Sequence, residues 1–336
     1  MDQQTPRAPK TLHSNASHHQ SGNSNGNGHG PRSAGSALLV QGGHAVAPPP
    51  PLVKKQDSVS VTGQSLPDIQ KTRDQRGIAI DEVGVSNIRF PVEIPLRNGG
   101  VCRTVGTIAM RVSLDAEEKG THMSRFMIAL NERAHAIQPA GLKEILAHLL
   151  DYLNAQSAYL DLSFPVFLER QAPVTKMVGM LDFDVTIKAV LHIDGTYDEH
   201  VGVHVTAASL CPCSREISQY GAHNQRSKID IAVRPKNTMV WVEDLIDIAE
   251  RSASCALFPV LKRPDEKYVT EHAYENPKFV EDIVRDVTIQ MKNGMEADRW
   301  SWFRVAVTNQ ESIHNHDAYA RIERGTPSPY LGSIGA

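Results

Sequence analysis

The sequence is short of several features that mark specialised classes of protein. Only four of its 336 residues are cysteines, and Cys102, Cys211, Cys213 and Cys255 are irregularly spaced. This spacing argues against the disulfide framework of a small secreted protein and fits a reducing compartment. No apolar run reaches the roughly 18 residues of a membrane-spanning helix, and the first residues lack a secretory signal pattern. We therefore expect a cytoplasmic protein with no membrane partner.

The chain also lacks an excess of charge of either sign. Lys and Arg total 35 and Asp and Glu total 38, which gives a formal net charge of -3. A nearly neutral chain presents no global basic field to nucleic acid, so we expect no nucleic-acid partner. Its apolar content of 40% is enough for a substantial core. Any ligand must therefore be recognised by local sites.

Residues 1–76 differ in composition from the rest of the chain. They are rich in Ser, Asn, Gly, Gln, His and Pro. Such a segment buries too little apolar surface to offset the entropy lost on ordering. We predict a disordered low-complexity arm.

Beyond the arm, the apolar residues follow the periods of strands and helices. Alternation from Leu181 to Ile193, with Asp182, Asp184, Thr186 and Lys188 between the apolar positions, predicts a strand with one wet face. The turn at Asp194-Gly195 then predicts a hairpin. Further strands are expected near residues 84–95, 101–114, 158–169, 226–234 and 302–309.

Three segments have the apolar stripe of a helix, at about residues 139–154, 238–254 and 276–294. In the third, Asn276 is expected as N-cap, Pro277 as first helical residue and Gly294 as the residue after the last turn. The charged segment 261–267 is expected as a loop between two helices.

The order of these elements predicts an α+β fold. Strand pairs bracket helical regions twice, which suggests two tandem ββααββ units with antiparallel sheets and their helices on one face. The predicted boundaries are residues 77–198 for the first unit and 199–330 for the second. Most of the candidate site residues fall in the second unit.

A candidate metal site begins at the end of a predicted strand. Cys211 and Cys213 bracket a proline, and His223 follows the first thiol by twelve positions. Thiolate and imidazole are ligands that zinc and similar ions accept. A simpler interpretation makes both cysteines small buried residues and His223 a surface residue.

Two more segments concentrate ionisable groups. Segment 261–267 contains Glu266, and a carboxylate there would complete an open catalytic metal site that keeps one position for water. Segment 309–317 contains two imidazoles and two carboxylates, and an imidazole can shuttle protons near neutral pH. Taken alone, each segment is also typical of a solvated loop.

Seven blocks together resemble the type IB GTP cyclohydrolase I family. They cover essentially all of residues 77–325, in the family's order: 84–91 (GVSNIRFP), 122–126 (HMSRF), 211–214 (CPCS), 221–227 (GAHNQRS), 261–266 (LKRPDE), 276–282 (NPKFVED) and 311–316 (ESIHNH).

The resemblance implies a tunnelling fold, whose units join across subunits into a barrel with active sites at subunit interfaces. A homo-oligomer, expected as a tetramer, and GTP as the substrate follow from it. It also implies one divalent metal per site (Zn, Mn or Fe), held by Cys211, His223 and Glu266, and no organic cofactor.

The resemblance further assigns the substrate-handling residues. Glu281 would pair with the guanine edge, and His314 would transfer protons, with Cys211 and Cys213 as further catalytic residues. The expected substrate-binding set is Glu281, Glu311, Arg125, Arg226 and Lys228. In the implied hydrolysis, metal-bound water attacks C8 of guanine, and formate and 7,8-dihydroneopterin triphosphate are released at the start of folate and pterin synthesis.

Two other functions use the same residues differently. An NADPH-dependent nitrile reductase of the same fold would use Cys211 as a nucleophile, although the sequence has no dinucleotide fingerprint. A non-catalytic interaction module would use the Cys and His residues in a closed structural zinc site. Bound metal, NADPH oxidation and unfolding on metal removal separate these alternatives.

Overall fold

The computed structural model describes residues 68–133, 137–236 and 239–332. Residues 1–67 of the predicted arm therefore lie outside the described residues, and their disorder stays a prediction. Residues 68–76 are described and contain a short 3-10 helix at Ile69–Lys71, so the predicted disorder does not extend to residue 76. None of the helices in the described ranges is long and apolar enough to cross a membrane.

Within these ranges, eight strands form one antiparallel sheet in which each strand neighbours the next along the chain. The strands are β1 (Ile80–Pro95), β2 (Val101–Leu114), β3 (Ser157–Gln171), β4 (Val178–His192), β5 (Tyr197–Leu210), β6 (Asn224–Pro235), β7 (Trp300–Gln310) and β8 (Ala318–Gly325). In β4 the alternation places Phe183, Val185 and Ile187 in the core. The intervening polar side chains therefore line the other face, as the sequence predicts.

In the described residues, six α-helices connect these strands: α1 (Met123–Glu132), α2 (Leu142–Leu153), α3 (Pro212–Ile217), α4 (Val242–Ser252), α5 (Arg263–Glu275) and α6 (Val280–Glu296). Buried residues of α1, α2, α4 and α6 share one core with the apolar face of the sheet. The predicted α+β fold, with antiparallel strands and helices on one face, is confirmed. Because β4 pairs with β5, the sheet continues across residue 198, and the division into two domains there stays a prediction.

The predicted start of the third helix is wrong. The helix α6 begins at Val280 with Phe279 as its N-cap, and Asn276 instead ends α5. The Asn276 side-chain amide donates to the carbonyls of Ala253 and Ser254, at 3.1 Å each, so it does not cap α6. Gly294 lies inside α6 and not beyond it.

The predicted loop at residues 261–267 is also wrong, because α5 begins at Arg263. Its first turn is stabilised by Asp265, whose carboxylate accepts a hydrogen bond from the backbone amide of Lys262 at 3.0 Å. This contact is half of a capping box, which satisfies an amide that has no partner within the helix. The charged residues of this segment therefore belong to a helix.

The antiparallel order sends four chain reversals to the same end of the sheet. These are residues 96–100, 172–177, 211–223 and 311–317, which follow β1, β3, β5 and β7. The other reversals, including both long helical connections, begin and finish at the opposite end. Three of the seven blocks that resemble the cyclohydrolase family, at 211–214, 221–227 and 311–316, fall at or beside these four reversals.

Candidate active site

Cys211 and His223 lie opposite each other where β5 and β6 end. The last residue pair of the ladder is Leu210 with Asn224, and the Cys211 amide donates to the His223 carbonyl at 3.1 Å. Residues paired in this way have Cα atoms about 5.5 Å apart, so one ion can reach both side chains. Both residues are half-buried. The structure thus brings together the two donors that the sequence proposes.

The position of Cys211 is fixed by bonds to its neighbour, Leu210. The buried Ser254 hydroxyl accepts from the Leu210 amide at 3.1 Å, and the Lys278 amide donates to the Leu210 carbonyl at 3.0 Å. Lys278 also donates through its ammonium group to the Ser252 carbonyl at 3.1 Å. The end of β5 is therefore held by the chain that leads into α6.

The same bonds place the start of α6 near Cys211. Glu281 lies three residues after Lys278, in the first turn of α6, and its side chain is exposed. A helix N-terminus favours a carboxylate, and an exposed one is free to bind a ligand. Glu281 is thus carried to the Cys211 end of the sheet.

The loop between β7 and β8 reaches this end through two side-chain contacts. The Gln225 amide donates to Glu311 at 2.8 Å, and Ser312 Oγ lies 3.1 Å from His223 Nδ1. His314 follows two residues later and stacks on His316, with ring centroids 5.2 Å apart. Both imidazoles are exposed. The loop therefore brings Glu311 and His314 toward the Cys211 and His223 pair.

Glu266 is not brought to this pair within one chain. Its neighbour Asp265 is fully buried and accepts from the Val174 and Thr175 amides, at 2.9 Å each, and from the Thr175 hydroxyl at 2.6 Å. Although burial opposes ionisation, these bonds hold the pKa of Asp265 below its ordinary value. Glu266 thus lies in the first turn of α5, next to the residue that binds the β3–β4 turn and about 14 Å along the helix from its end.

Metal binding is consistent with the donors present, although the set is incomplete. A thiol and an imidazole at adjoining strand ends suit zinc and other divalent ions. Among the described residues, no three His, Cys, Asp or Glu side chains are grouped closely enough to hold a metal. The role of Glu266 as third ligand stays a prediction, and so does the metal.

Arg226 and Lys228 lie on the face of the sheet that carries no helices, and both are exposed. Lys228 lines a cavity of about 1040 Å³ together with Arg89, Asp184, His204 and Asp230. Because four strands separate Arg89 in β1 from Lys228 in β6, a shared cavity means that this face is concave. The hydrogen bond with Asp230 raises the pKa of His204.

Arg125 and Cys213 are placed differently from the other predicted residues. Arg125 lies on α1, which packs by Phe126 and Leu130 into the core on the helix-bearing face. Its helix contacts β1, whereas Cys211 ends β5, so one chain does not bring Arg125 to the Cys211 end. Cys213 is exposed and lies in α3, two residues after Cys211, which is the N-cap of that helix.

Five supporting residues were not singled out from the sequence: Ser214, Gln225, Asp265, Lys278 and Ser312. Each belongs to one of the seven blocks, which was the only available signal. Ser214 illustrates their role, because its hydroxyl accepts from the His223 amide at 3.2 Å and lies 3.2 Å from the Cys211 carbonyl, to which it donates. Their contacts join segments that are distant in sequence.

Comparison with known proteins identifies the family of this chain. The sequence model of a family described as type I GTP cyclohydrolase folE2 matches residues 66–320. The GTP cyclohydrolase FolE2 of Desulfosudis oleivorans is 47% identical over 264 residues, which cover 79% of this chain and 100% of the relative. The FolE2 of Nitrosococcus oceani is 47% identical over 267 residues, or 79% and 98% of the two chains.

The similarity to solved structures is at a much lower level. A mutant urate oxidase from Bacillus sp. TB-90 aligns with a TM-score of 0.47 and 8% identity, over 74% of this chain and 100% of that chain. Similarity this low says nothing about what this chain binds.

Proposed function

Since this chain belongs to the type I GTP cyclohydrolase folE2 family, we propose that it opens the imidazole ring of GTP. The products would be formate and 7,8-dihydroneopterin triphosphate, at the start of pterin and folate synthesis. Support comes from the family match over residues 66–320. It comes equally from the contacts that join Cys211, His223 and the loop of His314 at one end of the sheet.

The proposed metal site uses Cys211 and His223, with Glu266 as third protein ligand. Zinc, manganese and iron all accept a thiolate, imidazole and carboxylate set. When bound, the ion would act as a Lewis acid and activate water for attack at C8 of the purine. Glu266 would have to approach by a movement of α5 or from a neighbouring subunit.

Glu281 is proposed to recognise guanine. Its carboxylate can accept hydrogen bonds from guanine N1–H and from the 2-amino group, whereas adenine offers no such pair of donors. The exposure of Glu281 in the first turn of α6 leaves both oxygens available. Glu311 would support binding with the carboxylate oxygen that Gln225 does not occupy.

His314 is proposed to carry protons during ring opening. It would protonate the departing ring nitrogen and later assist the release of formate. Its exposed imidazole lies in a loop fixed to β6 by Gln225 and to His223 by Ser312. Cys213 stays a predicted catalytic residue for which no contact suggests a step.

The triphosphate is proposed to bind Arg226 and Lys228 from one subunit and Arg125 from another. Arginine and lysine supply the cations that phosphates require, and Arg125 is too far from the Cys211 end in its own chain. A homo-oligomer with sites at its interfaces would bring these residues together. We expect a tetramer.

The test is a fluorescence assay of neopterin after incubation with GTP and metal under anaerobic conditions. Cys211→Ala should abolish turnover, whereas the midpoint of thermal unfolding and the oligomeric state should stay unchanged. Cys102→Ala is the matched control, because it removes a half-buried thiol of β2 and should keep activity. Full activity of the Cys211 variant would refute its role, and GTP-independent NADPH oxidation would favour a reductase.

A further inference from the structure

The loop that carries His314 touches a predicted metal ligand directly. Ser312 Oγ lies 3.1 Å from Nδ1 of His223, which is a hydrogen-bond distance. The two residues are 89 positions apart in the sequence. A second contact, from Gln225 to Glu311 at 2.8 Å, fixes the same loop one residue earlier. Ser312 is thus held against the imidazole by more than its own hydrogen bond.

The backbone of His223 is fixed as well. Its amide donates to Ser214 Oγ at 3.2 Å, and its carbonyl accepts from Cys211 at 3.1 Å. With the backbone fixed, the remaining freedom of the residue is ring rotation and the choice of which nitrogen carries the proton. Ser312 acts on both, because it occupies one ring nitrogen.

We infer that Ser312 is a positioning residue that selects His223 Nε2 as the metal donor. In the tautomer that this role requires, Nδ1–H donates to the serine oxygen, and the lone pair of Nε2 is the one available to an ion. Within the residues that the structure describes, Nε2 of His223 makes no hydrogen bond. Metal-binding histidines generally donate their second N–H to an oxygen acceptor, usually a carboxylate, carbonyl or water, which fixes ring and tautomer, and the Ser312 hydroxyl would take that place. This inference rests on the proposed function.

The hydrogen bond between Ser312 and His223 also links the metal site to the β7–β8 loop, which contains the proposed proton carrier His314. His314 is two residues from Ser312, so a shift of Ser312 displaces both the metal ligand and the proton carrier. Replacing Ser312 should therefore lower metal affinity and, separately, the rate at saturating metal. Gln225 and Glu311 would keep the loop attached, so the fold should be retained.

The experiment is a titration of the metal-free full-length protein with Co²⁺, read by its thiolate charge-transfer and d–d absorption. Ser312→Ala should weaken Co²⁺ binding by about 10–100-fold, the usual cost of removing such a partner. Ser312→Thr keeps the hydroxyl and should restore affinity. Ser218→Ala is the matched control, because Ser218 lies in the β5–β6 connection with His223 and its hydroxyl, among the described residues, accepts from the Tyr220 amide alone, at 3.3 Å.

The outcomes separate this inference from the proposed function. Wild-type affinity in Ser312→Ala, with an unchanged spectrum, would overturn the role of Ser312 and leave the metal site standing. Absence of Co²⁺ binding by the wild-type protein would overturn the metal site and this inference with it. If Ser218→Ala weakened Co²⁺ binding as much as Ser312→Ala does, the effect would reflect a general disturbance of the site. That result would also overturn the inference.

Discussion

At the scale of single residues, the proposed site uses common side chains, and it is their position near Cys211 that distinguishes them. Glu281 is an exposed acid on a helix, and most such acids only solvate a surface. It differs because Lys278, three residues earlier, is hydrogen-bonded to the strand end that carries Cys211. Its proximity to the site comes from that backbone contact.

Glu281→Gln should weaken GTP binding by about 10-fold or more, because each charge-assisted hydrogen bond contributes ~1.5–3 kcal/mol. In glutamine an NH₂ group replaces one carboxylate oxygen, so a hydrogen-bond donor would face the N1–H or 2-amino donor of guanine. Affinity can be measured by calorimetry with GTP. Glu296→Gln, at the exposed far end of the same helix, is the control. Equal affinities would move guanine recognition to another residue.

We expect His200 to make the stability of the protein depend on pH. It is 1% exposed, stacks on Trp302 with ring centroids 4.7 Å apart, and accepts from the Ser328 amide at 3.3 Å. Burial lowers the pKa of His200 to about 4. The unfolded chain, with an ordinary pKa near 6.5, therefore binds a proton more readily than the folded protein.

Stability should consequently fall as pH drops from about 6.5 to about 4, by roughly 3 kcal/mol through this residue. His200→Gln should flatten that part of the profile, because glutamine does not titrate. Urea unfolding at several pH values measures the slope. His316→Gln, an exposed histidine, should leave the slope unchanged. Parallel profiles for wild type and His200→Gln would contradict the prediction.

At the scale of elements, α6 shows tertiary packing overruling helix propensity. Gly294 lies inside the helix, where alanine would normally be preferred by about 1 kcal/mol. A Cβ at this position would lie 1.9 Å from the Trp300 ring. Trp300 is 1% exposed and donates to the Met291 carbonyl at 3.0 Å, so the ring cannot yield easily.

Gly294→Ala should therefore destabilise the protein by about 1–3 kcal/mol, the usual cost of overpacking a core. The free energy of unfolding in urea is the measurement. Gly332→Ala adds a methyl group where nothing lies within 4 Å and serves as control. A more stable Gly294 variant would mean that Trp300 has room to move.

At the scale of the whole molecule, the sheet ends in two strands that each have a neighbour on one side only. These are β1 and β8 in the described part of the chain. Open sheet edges are usually covered or paired, and pairing between subunits would satisfy them. The same assembly would bring Arg125 of one subunit to Cys211 of another.

Mixed oligomers provide the test of this assembly. Cys211→Ala and Arg125→Ala subunits should each be inactive alone, and co-assembly should restore about a quarter of wild-type activity, because random mixing leaves that share of interfaces intact. Neopterin fluorescence measures the recovery. No recovery in a verified mixed oligomer would place both residues in one subunit's site. Mixing two different Cys211 variants is the negative control.

Residues 1–65 of the amino-terminal arm precede the matched family region, which begins at residue 66. Removing residues 1–65 should leave kcat and KM for GTP unchanged. The truncated chain keeps the contact from the Gln70 side chain to the Thr121 carbonyl, at 3.0 Å. Steady-state assays of both proteins check this expectation, and a large loss of activity would give the arm a role in catalysis.

Local patterns were sufficient for much of the fold. The alternation in β4 and the stripe of α2 predicted both elements, because burial of one face imposes its period on neighbouring residues. The strand β8 was missed because its alternating residues include the small Ala318 and Ala320 beside the charged Arg321 and Glu323. The composition of β8 does not indicate a strand, and β8 forms because it pairs with β7.

The sequence by itself determined the fold class, the family and the kinds of donor that a site could use. Only the tertiary structure decided which of these donor side chains lie close together. Strand register set Cys211 opposite His223, and Ser312 reached His223 from a loop 89 residues away. The same folding used Asn276 to hold Ala253 and Ser254 instead of capping α6. Periodicity reports which face a residue buries, whereas contacts between distant segments depend on register and packing that no local spacing specifies.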